Sequence, residues 1–279
     1  MPGNRCLLDY RVLGTMADPI ITLTSDFGAE SPYVAAMKGV ILAINPSARI
    51  VDLSHHIPPQ DLRYTAFFLA ASVPFFRPEV LHVIVVDPAV GTERALLYVE
   101  VNAHRLLVPD NGCWTALAGK TLPRVIRLTE PRYWRESISG TFHGRDILSP
   151  VAGHLSLGLD ARLLGPIMMD WTRIDLPAPV RETHRIRGEV LFIDHFGNLI
   201  TNISADLLPS PTVPLLVKVG AVAVSRRVQS YGEVEPDAIV ALVSSAGLLE
   251  IAVNQGNAAQ QLRATVGTLV VVTPSAQGE

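Results

Sequence analysis

The sequence predicts an α/β domain with a largely parallel sheet, followed by an all-β, barrel-like domain. Three observations lead to this prediction. In the first part of the chain, strand-like and helix-like stretches follow one another in the order β-α-β-α-β. Residues 165–180 then carry Pro166, Pro177 and Pro179 and are typical of a linker. Beyond them, short apolar runs recur about every ten residues between turn residues, as in small barrels or sandwiches.

The first domain is predicted to comprise residues 18–175. Its parallel strands are predicted at residues 20–24, 49–53 and 80–86. The third is a continuous apolar run, as expected for a strand that is buried on both faces. Helices are predicted at residues 33–45, 61–72 and 146–157. A hairpin is expected from residues 96–109, with its turn at Asn102-Ala103-His104.

The second domain is predicted to comprise residues 176–279. Its pattern is one of short β-branched or aliphatic runs separated by turn residues. The strands are predicted at residues 185–193, 199–203, 213–219, 221–226, 238–243, 248–253 and 268–272.

Composition limits the classes of function. Of the 279 residues, 48% are hydrophobic and 18% are charged, so a folded core is expected rather than disorder. The 23 basic and 26 acidic residues give a net charge of −3, and neither nucleic acid nor an anionic membrane is expected as a partner.

The N-terminal stretch and the cysteines favour the cytoplasm. Asp9, Arg11 and Gly14 interrupt the apolar stretch that a signal peptide requires. Cys6 and Cys113 form no C-x-x-C motif, and a reducing compartment explains them most simply.

Three polar loops are candidates for a ligand site in the first domain. In open α/β sheets, ligands bind at the carboxyl ends of the strands. Charged residues occur in these loops at Asp26, Asp87, Arg94, His143 and Asp146. Each also has a structural interpretation: the aspartates suit turns or helix N-caps, with Asp146 preceding a predicted helix.

Other familiar motifs give no function. The pair His55-His56 suggests a metal ligand set, but adjacent side chains point apart and no third ligand stands at a suitable spacing. We therefore expect no metal. The glycine patterns of dinucleotide-binding and P-loop sites are absent from the sequence, as is the G-x-S-x-G motif of serine hydrolases.

The second domain offers groups that suit a purine. Asp194, Phe196 and Asn198 follow a predicted strand, and Asn254 follows a later one. An aromatic face together with amide donors and acceptors is suited to stacking on adenine and hydrogen bonding with it. The alternative interpretation is that these residues only form turns between strands.

Seven segments of the chain together resemble one family. They are ITLTSDFG, VDLSHHIPPQD, HVIVVDPAVGTER, LLVPDNG, FHGRDILSPVAGHL, IDHFGNLITNI and SSAGLLEIAVNQGNAA, and they extend in order over residues 20–259. In this respect the chain is similar to the S-adenosyl-L-methionine (SAM) hydroxide adenosyltransferases, the adenosine-forming SAM hydrolases related to fluorinases and chlorinases. The resemblance implies hydrolysis of SAM to adenosine and L-methionine without a cofactor. It also implies a homotrimer with SAM bound between neighbouring subunits.

The resemblance also implies roles for individual residues. The catalytic set falls on Asp87, Arg94 and His143, and the carboxylate that holds the ribose hydroxyls falls on Asp26. The remaining substrate contacts, at adenine and at the methionine end, fall on Asp194, Phe196, Asn198, Ser245 and Asn254. Two positions depart from the fluorinase pattern. Gln60 replaces an aromatic residue near the ribose, and Ala246 replaces an arginine next to the matched serine.

Alternatives to hydrolysis remain open at this stage. A SAM-dependent halogenase needs a dehydrated halide pocket, but the equivalent positions here include Asp87 and Gly144, and a carboxylate repels a halide. A SAM- or adenosine-binding protein without turnover would not need the complete catalytic trio. A metal-dependent hydrolase would lose activity with a chelator. The sequence leaves open whether Asp87 or His143 takes the proton from water.

Overall fold

A computed structural model describes residues 19–274 of the chain. The chain separates into two compact units, with the division between Ile174 and Asp175. The predictions about Cys6 and about the stretch around Asp9 lie outside the described residues.

The first unit contains a seven-stranded mixed sheet. Its strands are β1 (Ile20–Ser25), β2 (Arg49–Ser54), β3 (Leu81–Val85), β4 (Leu96–Val101), β5 (His104–Pro109), β6 (Arg124–Arg127) and β7 (Ile167–Met168). They lie in the order β2-β1-β3-β5-β4-β6-β7. The first four in this order are parallel, and β4, β6 and β7 continue the sheet antiparallel. The predicted α/β class is confirmed, with parallel pairing in one half of the sheet.

Helices cover both faces of this sheet. They are α1 (Pro32–Ile44), α2 (Leu62–Ser72), α3 (Thr115–Ala118) and α4 (Ser149–Ser156), the last preceded by a π-helical turn (Gly144–Leu148). One core cluster joins α1 and α4 to the sheet through residues such as Met37 and Val151. A second cluster joins α2 and α3 to the opposite face, around the fully buried Trp114. The arrangement is that of a three-layer α/β domain.

Local signals in the sequence explain where the first two helices begin. Ser31 accepts a hydrogen bond from the amide of Tyr33 at 3.3 Å, and Pro32 occupies the first helical position, where its missing N–H costs nothing. Asp61 accepts from the amide of Tyr64 at 2.8 Å and caps α2 in the same way. The predicted helix of residues 61–72 therefore includes its own N-cap.

The second unit is a nearly closed antiparallel sheet. Its strands are β8 (Val180–Arg181), β9 (Ile186–Ile193), β10 (Leu199–Ser204), β11 (Leu215–Val219), β12 (Val222–Val224), β13 (Ile239–Val243), β14 (Leu248–Val253) and β15 (Leu269–Pro274). The main order is β12-β11-β15-β9-β10-β14-β13. Residues just after β12 bond to β13, since Ala241 donates to the carbonyl of Arg226 at 2.8 Å. This contact brings the two ends of the sheet together, and the barrel-like prediction is confirmed.

The predicted linker is packed structure over its first half. Within residues 165–180, β7 pairs with β6, and Trp171 stacks on Trp114 with ring centroids 3.9 Å apart. The amide of Ile174 donates to the hydroxyl of Thr115 at 3.2 Å. The prolines limit the length of the strands here, but the tryptophan pair holds this part of the chain against the first unit.

The shortest strands and helices give no recognisable pattern in the sequence, as α3 and β8 show with four and two residues. The strand β6 has four residues and β7 has two, and α5 (Ala258–Leu262) has five. Among residues 19–274, no helix has the length and apolar character needed to cross a membrane.

The sheet order brings the candidate loops of the first unit to one edge. The strands β1, β3 and β5 are neighbours and parallel, so the loops that follow them lie side by side. Asp26 directly follows β1, Asp87 follows β3 after one residue, and Asn111 follows β5 after one residue.

A pair of histidines lies in the strands of this sheet. His82 in β3 is fully buried, and its Nδ1 lies 2.8 Å from the hydroxyl oxygen of Thr22. The ring of His104 in β5 is 5.9 Å away between centroids. Burial lowers the pKa of His82, and the charges of His104 and Arg105 lower it further, to about 4. The folded state therefore holds the neutral imidazole.

We predict that His82 makes the protein less stable in acid. Its pKa is depressed in the folded state relative to about 6.5 in an unfolded chain, so its contribution is complete above pH 6.5 and falls as the pH approaches 4. Between pH 7 and pH 5 the wild type should lose about 2 kcal/mol more unfolding free energy than His82→Asn, measured by urea titration.

The matched control is His184→Asn, because His184 is exposed in the second unit. This variant should keep the wild-type dependence of stability on pH. Equal losses in the wild type and in His82→Asn would show that the buried imidazole does not control acid stability.

Candidate active site

The centre of the site is an ion pair between Asp87 and Arg94. Both side chains are only 7% exposed. The guanidinium Nε lies 2.7 Å from Oδ1 and 2.6 Å from Oδ2 of the carboxylate, and Nη2 also donates to Oδ2. Such a fork-like contact fixes the plane of the carboxylate as well as its charge.

His143 contacts the same guanidinium. Nη2 of Arg94 is 3.1 Å from Nδ1 of His143. Because an arginine side chain has donors only, Nδ1 accepts this hydrogen bond and the neutral ring carries its hydrogen on Nε2. Burial lowers the pKa of His143 and the Arg94 charge lowers it further, while Asp87 and Asp146 partly oppose these effects. The three predicted catalytic residues thus form one network.

Asn111 fixes the end of the strand that leads to Asp87. Its side-chain amide donates to the carbonyl of Val86 at 2.8 Å, and its side-chain oxygen accepts from the amide of Cys113 at 3.1 Å. Burial raises the pKa of the Cys113 thiol. The thiol is therefore neutral and inert, and the buried Asn111 holds the backbone just before Asp87.

Asp26 and Gln60 are also brought together. The backbone amide of Gln60 donates to Oδ2 of Asp26 at 2.8 Å, and Gln60 has a left-handed backbone with φ 63°. Asp26 is therefore not a helix N-cap, a position that Ser31 occupies in α1. This contact uses one carboxylate oxygen of Asp26. The side chain lies at the edge of the sheet that the site loops share and is partly exposed to solvent.

The pair His55-His56 separates as expected from sequence. His55 is buried, with Nδ1 2.8 Å from the Ser25 hydroxyl and Nε2 3.0 Å from Oδ1 of Asp52, whereas His56 is exposed. Among residues 19–274 there is no group of three or more His, Cys, Asp or Glu side chains arranged to hold a metal. His55 instead links the loops after β1 and β2, because its carbonyl also accepts from the amide of Gly28 at 2.7 Å.

The N-cap interpretation of Asp146 is wrong. Asp146 lies inside the π-helical turn and is fully buried. Its carboxylate accepts hydrogen bonds from Arg135, Arg145 and the amide of Ser139, so it is fully engaged away from the helix end.

In the second unit, Asp194 organises a tight turn. Its Oδ1 accepts from the amides of Phe196 at 2.9 Å and Asn198 at 2.8 Å, and its Oδ2 accepts from the side-chain amide of Asn198 at 3.0 Å. The turn requires Gly197, whose φ is 88° and at which a Cβ would overlap the Asn257 side chain. The ring of Phe196 is left 74% exposed.

Four of the predicted binding residues line one open cavity. Asp194, Phe196, Asn198 and Asn254 surround a volume of about 780 Å³. The side-chain nitrogen of Asn254 donates to the carbonyl of Val234 at 2.7 Å, which orients its oxygen as the free acceptor. The Phe196 ring and this amide border the same cavity, and their role in binding a purine stays a prediction.

Ser245 lines an adjoining cavity of about 460 Å³, together with Asp194. The sequence interpretation missed two further residues here, Tyr231 and Glu250. Glu250 is only 3% exposed and accepts a hydrogen bond from the Tyr231 hydroxyl at 2.6 Å. A glutamate within the apolar strand LLEIAV is the signal that identifies it, since a buried carboxylate needs a partner or a function.

The electrostatics of this second cavity are acidic. Burial raises the pKa of Glu250, the Tyr231 hydrogen bond opposes this, and the Asp194 carboxylate raises it again. Within residues 19–274, no basic side chain forms an ion pair with Asp194 or Glu250. The cavity therefore presents two carboxylates without a cation.

The chain is similar to proteins of known name over most of its length. The (R)-S-adenosyl-L-methionine hydrolase of Salinispora arenicola is 38% identical over 91% of this chain and 98% of the relative. The hydrolase of the same name from Thermus thermophilus is 41% identical over 85% of this chain and 93% of the relative. A fluorinase of an Actinoplanes species is 24% identical over 67% of this chain and 72% of the fluorinase.

A solved structure shares the fold. The crystal structure of an uncharacterized conserved protein from Thermotoga maritima has a TM-score of 0.85 and 33% identity, and covers 91% of this chain and 99% of that chain. The family model of the SAM hydroxide adenosyltransferase N-terminal domain matches residues 21–165, and that of the C-terminal domain matches residues 188–271. The matches cover most of both units, and the chain belongs to the SAM hydroxide adenosyltransferase family.

Proposed function

We propose that the protein is an enzyme that hydrolyses SAM to adenosine and L-methionine. The observation that carries this proposal is the network in which Arg94 contacts both the Asp87 carboxylate and His143 at the carboxyl edge of the sheet. It has the groups needed to position and deprotonate a water molecule. Relatives that cover nearly all of the chain are named for the same reaction.

The chemistry explains why so few groups are needed. SAM carries a sulfonium, so its C5′ carbon is already electrophilic. When the water oxygen bonds to C5′, the C5′–S bond breaks and its electron pair leaves with sulfur as the neutral thioether of methionine. No acid is required for the leaving group, and the protein has only to orient the water and take one proton.

The geometry supports an assignment of the two roles that the sequence leaves open. His143 carries its hydrogen on Nε2 and therefore donates to the water oxygen, which holds the lone pair toward C5′. Asp87 takes the proton that the water loses. A carboxylate held by Arg94 is a weak base, but an oxygen that is bonding to C5′ becomes strongly acidic, so a weak base suffices.

The remaining predicted residues suit the other parts of SAM. Asp26 and Gln60 are assigned to the ribose, Asp26 as the acceptor for its hydroxyls. Phe196 offers its exposed ring to adenine, with Asn254 as a hydrogen-bonding group. Asn198 supports this face, because its side chain is bonded to Asp194.

The methionine end is assigned to the cavity with two carboxylates. Asp194 and Glu250 would neutralise the α-ammonium group, and the Ser245 hydroxyl would contact the carboxylate. With this arrangement the protein can bind the methionine end although Ala246 stands where the fluorinases have an arginine. The site would select SAM through its ammonium group, with the half-buried Asp194 and the buried Glu250 as partners, and would depend less on a cation for the substrate carboxylate.

The sulfonium is a stereocentre, and the configuration at sulfur is part of the proposal. The relatives are named for the (R) epimer. We assign the same epimer to this chain as its preferred substrate.

Halogenation is the less favoured alternative. A halide beside Asp87 would face a carboxylate. A serine at position 144, as in the fluorinases, would place its Cβ 2.8 Å from Cγ1 of Val85. Gly144 is therefore set by packing, and the fluorinase relatives match at much lower identity.

The proposal also covers the oligomeric state, the cellular compartment and the limits of the domains. We propose a cytoplasmic homotrimer that uses no cofactor, as the family resemblance implies. The free, buried thiol of Cys113 is compatible with a reducing compartment. We also propose domains of residues 18–175 and 176–279, in keeping with the division between Ile174 and Asp175.

We expect the purified, chelator-treated protein to convert SAM to adenosine and methionine in halide-free buffer, as measured by chromatography. Asp87→Asn and His143→Ala should each lower kcat by about a hundredfold or more, because each removes a group that acts on the water. SAM binding, measured by calorimetry, should persist in both variants.

Asp160→Asn is the control, since Asp160 is an exposed aspartate that pairs with Arg162. It should keep wild-type turnover. Turnover that requires added chloride or fluoride would assign halogenation instead, loss with the chelator would assign a metal, and binding without turnover in every condition would leave only a binding function.

The ammonium assignment predicts a KM effect. Glu250→Gln should raise the KM for SAM about tenfold with little change in kcat, because the contact exists before and during the reaction. The dimethylsulfonium analogue of adenosine, which lacks the amino acid group, should react equally with the wild type and with Glu250→Gln.

Glu189→Gln serves as the matched control, since Glu189 lies on the neighbouring part of the same barrel in β9. Its KM should match that of the wild type. An equal KM increase for SAM and for the analogue in Glu250→Gln would contradict recognition of the ammonium group.

A further inference from the structure

The carboxylate of Asp146 joins four donors from one loop. Oδ1 accepts from Arg135 Nη1 at 2.9 Å and Arg145 Nε at 2.7 Å. Oδ2 accepts from the Ser139 amide at 2.8 Å and Arg145 Nη2 at 2.9 Å. The carbonyl of Asp146 also accepts from the amide of Arg135 at 2.9 Å. One buried side chain therefore closes the loop of residues 135–146.

The closed loop carries His143 and packs against two of the other site loops. Gly91, in the loop between Asp87 and Arg94, has a φ of 82°, and a Cβ there would overlap the carbonyl oxygen of Gly140. Phe142, next to His143, contacts Phe27 edge-on with ring centroids 5.6 Å apart, directly after Asp26. These close contacts leave the loop little freedom to shift without moving His143.

The π-helical turn also connects Asp146 to His143, through the backbone that follows His143. His143 immediately precedes this turn, and Asp146 lies within it. The carbonyl of Gly144 accepts from the backbone amide of Ser149 and also from the Ser149 hydroxyl, the latter at 2.7 Å, so both donors of Ser149 close the wider turn. Such turns are frequent at functional sites because they redirect one side chain within a helix.

We propose that Asp146 is a positioning residue that holds His143 against Arg94 and supplies the negative charge behind its ring. The kinetic part of this inference rests on the proposed function, whereas the structural part concerns the imidazole alone. The charged groups that face His143 are Arg94, Asp87 and Asp146. Arg135 and Arg145 act on it through Asp146, to which both are bonded.

Burial alone would raise the pKa of Asp146, but hydrogen bonds from Arg145, Ser139 and Arg135 outweigh it and lower the pKa to about 2. The residue is thus an anion throughout the neutral range. Without the Asp146 charge, the positive charges of Arg135 and Arg145 near His143 are no longer neutralised. Without Arg135, the negative charge of Asp146 is less neutralised. The two changes should shift the pKa of His143 in opposite directions.

The test is an NMR titration of the His143 ring, whose signal is assigned by its loss in His143→Gln. Asp146→Asn should lower the pKa of His143 by about 0.5 or more, and Arg135→Ala should raise it. Arg135 is partly exposed, so the second variant keeps the test valid if Asp146→Asn does not fold. Asp160→Asn should leave the His143 titration unchanged.

Kinetics give the second readout. Asp146→Asn should lower kcat about tenfold or more with the KM for SAM within about threefold of wild type, because a displaced His143 affects the water and not the bound substrate. The acidic limb of the kcat profile should move to lower pH in Asp146→Asn and to higher pH in Arg135→Ala.

Two results would overturn the inference. The first is a pKa of His143 that is unchanged in both variants or shifts in the same direction in both. The second is a folded Asp146→Asn variant whose kcat is within twofold of wild type. A wild-type protein that makes no adenosine from SAM would instead defeat the proposed function. The NMR titration would still decide whether Asp146 positions His143, because it needs no turnover.

Discussion

The site of the first unit depends on one buried cation. Arg94 neutralises Asp87, both side chains being 7% exposed, and the same guanidinium fixes the tautomer of His143. Without it, a carboxylate would stand unpaired in a largely dehydrated loop, at a cost of several kcal/mol. Without the carboxylate, the charge of Arg94 would act on the imidazole uncompensated. Asp87 and Arg94 thus neutralise each other beside His143, and the three side chains act as a unit.

The sheet order makes this interaction possible. Asp87 and Asp26 follow neighbouring parallel strands, β3 and β1, so their loops share one edge. Because β4 runs antiparallel to β5, and β5 runs parallel to β3, β4 begins at the edge where β3 ends. Arg94, which precedes β4, therefore lies beside Asp87. The close approach at Gly91 then sets the distance between this loop and the one that carries His143. The site is therefore a consequence of strand order and of a few tight backbone contacts.

The sequence predicts the parts of this structure that follow from local patterns. The continuous apolar run of β3, the capped start of α2 and the hairpin turn at Asn102-Ala103 all have signals within a few residues. Long-range choices have no such signal. The insertion of β5 between β3 and β4, the ion pairs of Asp146 and the packing of Trp171 on Trp114 depend on residues far apart in the chain. For the candidate site, the resemblance identified the trio, whereas burial identified Glu250.

The central claim is that a water molecule held by Asp87 and His143 attacks C5′ directly. A single turnover in 18O-labelled water tests it most directly, with mass spectrometry of the adenosine, the methionine and the protein. If water attacks directly, the 5′-hydroxyl of adenosine carries the label in the first turnover. Unlabelled adenosine, with the label in the Asp87 carboxylate, would show that Asp87 itself attacks C5′ and would contradict the account.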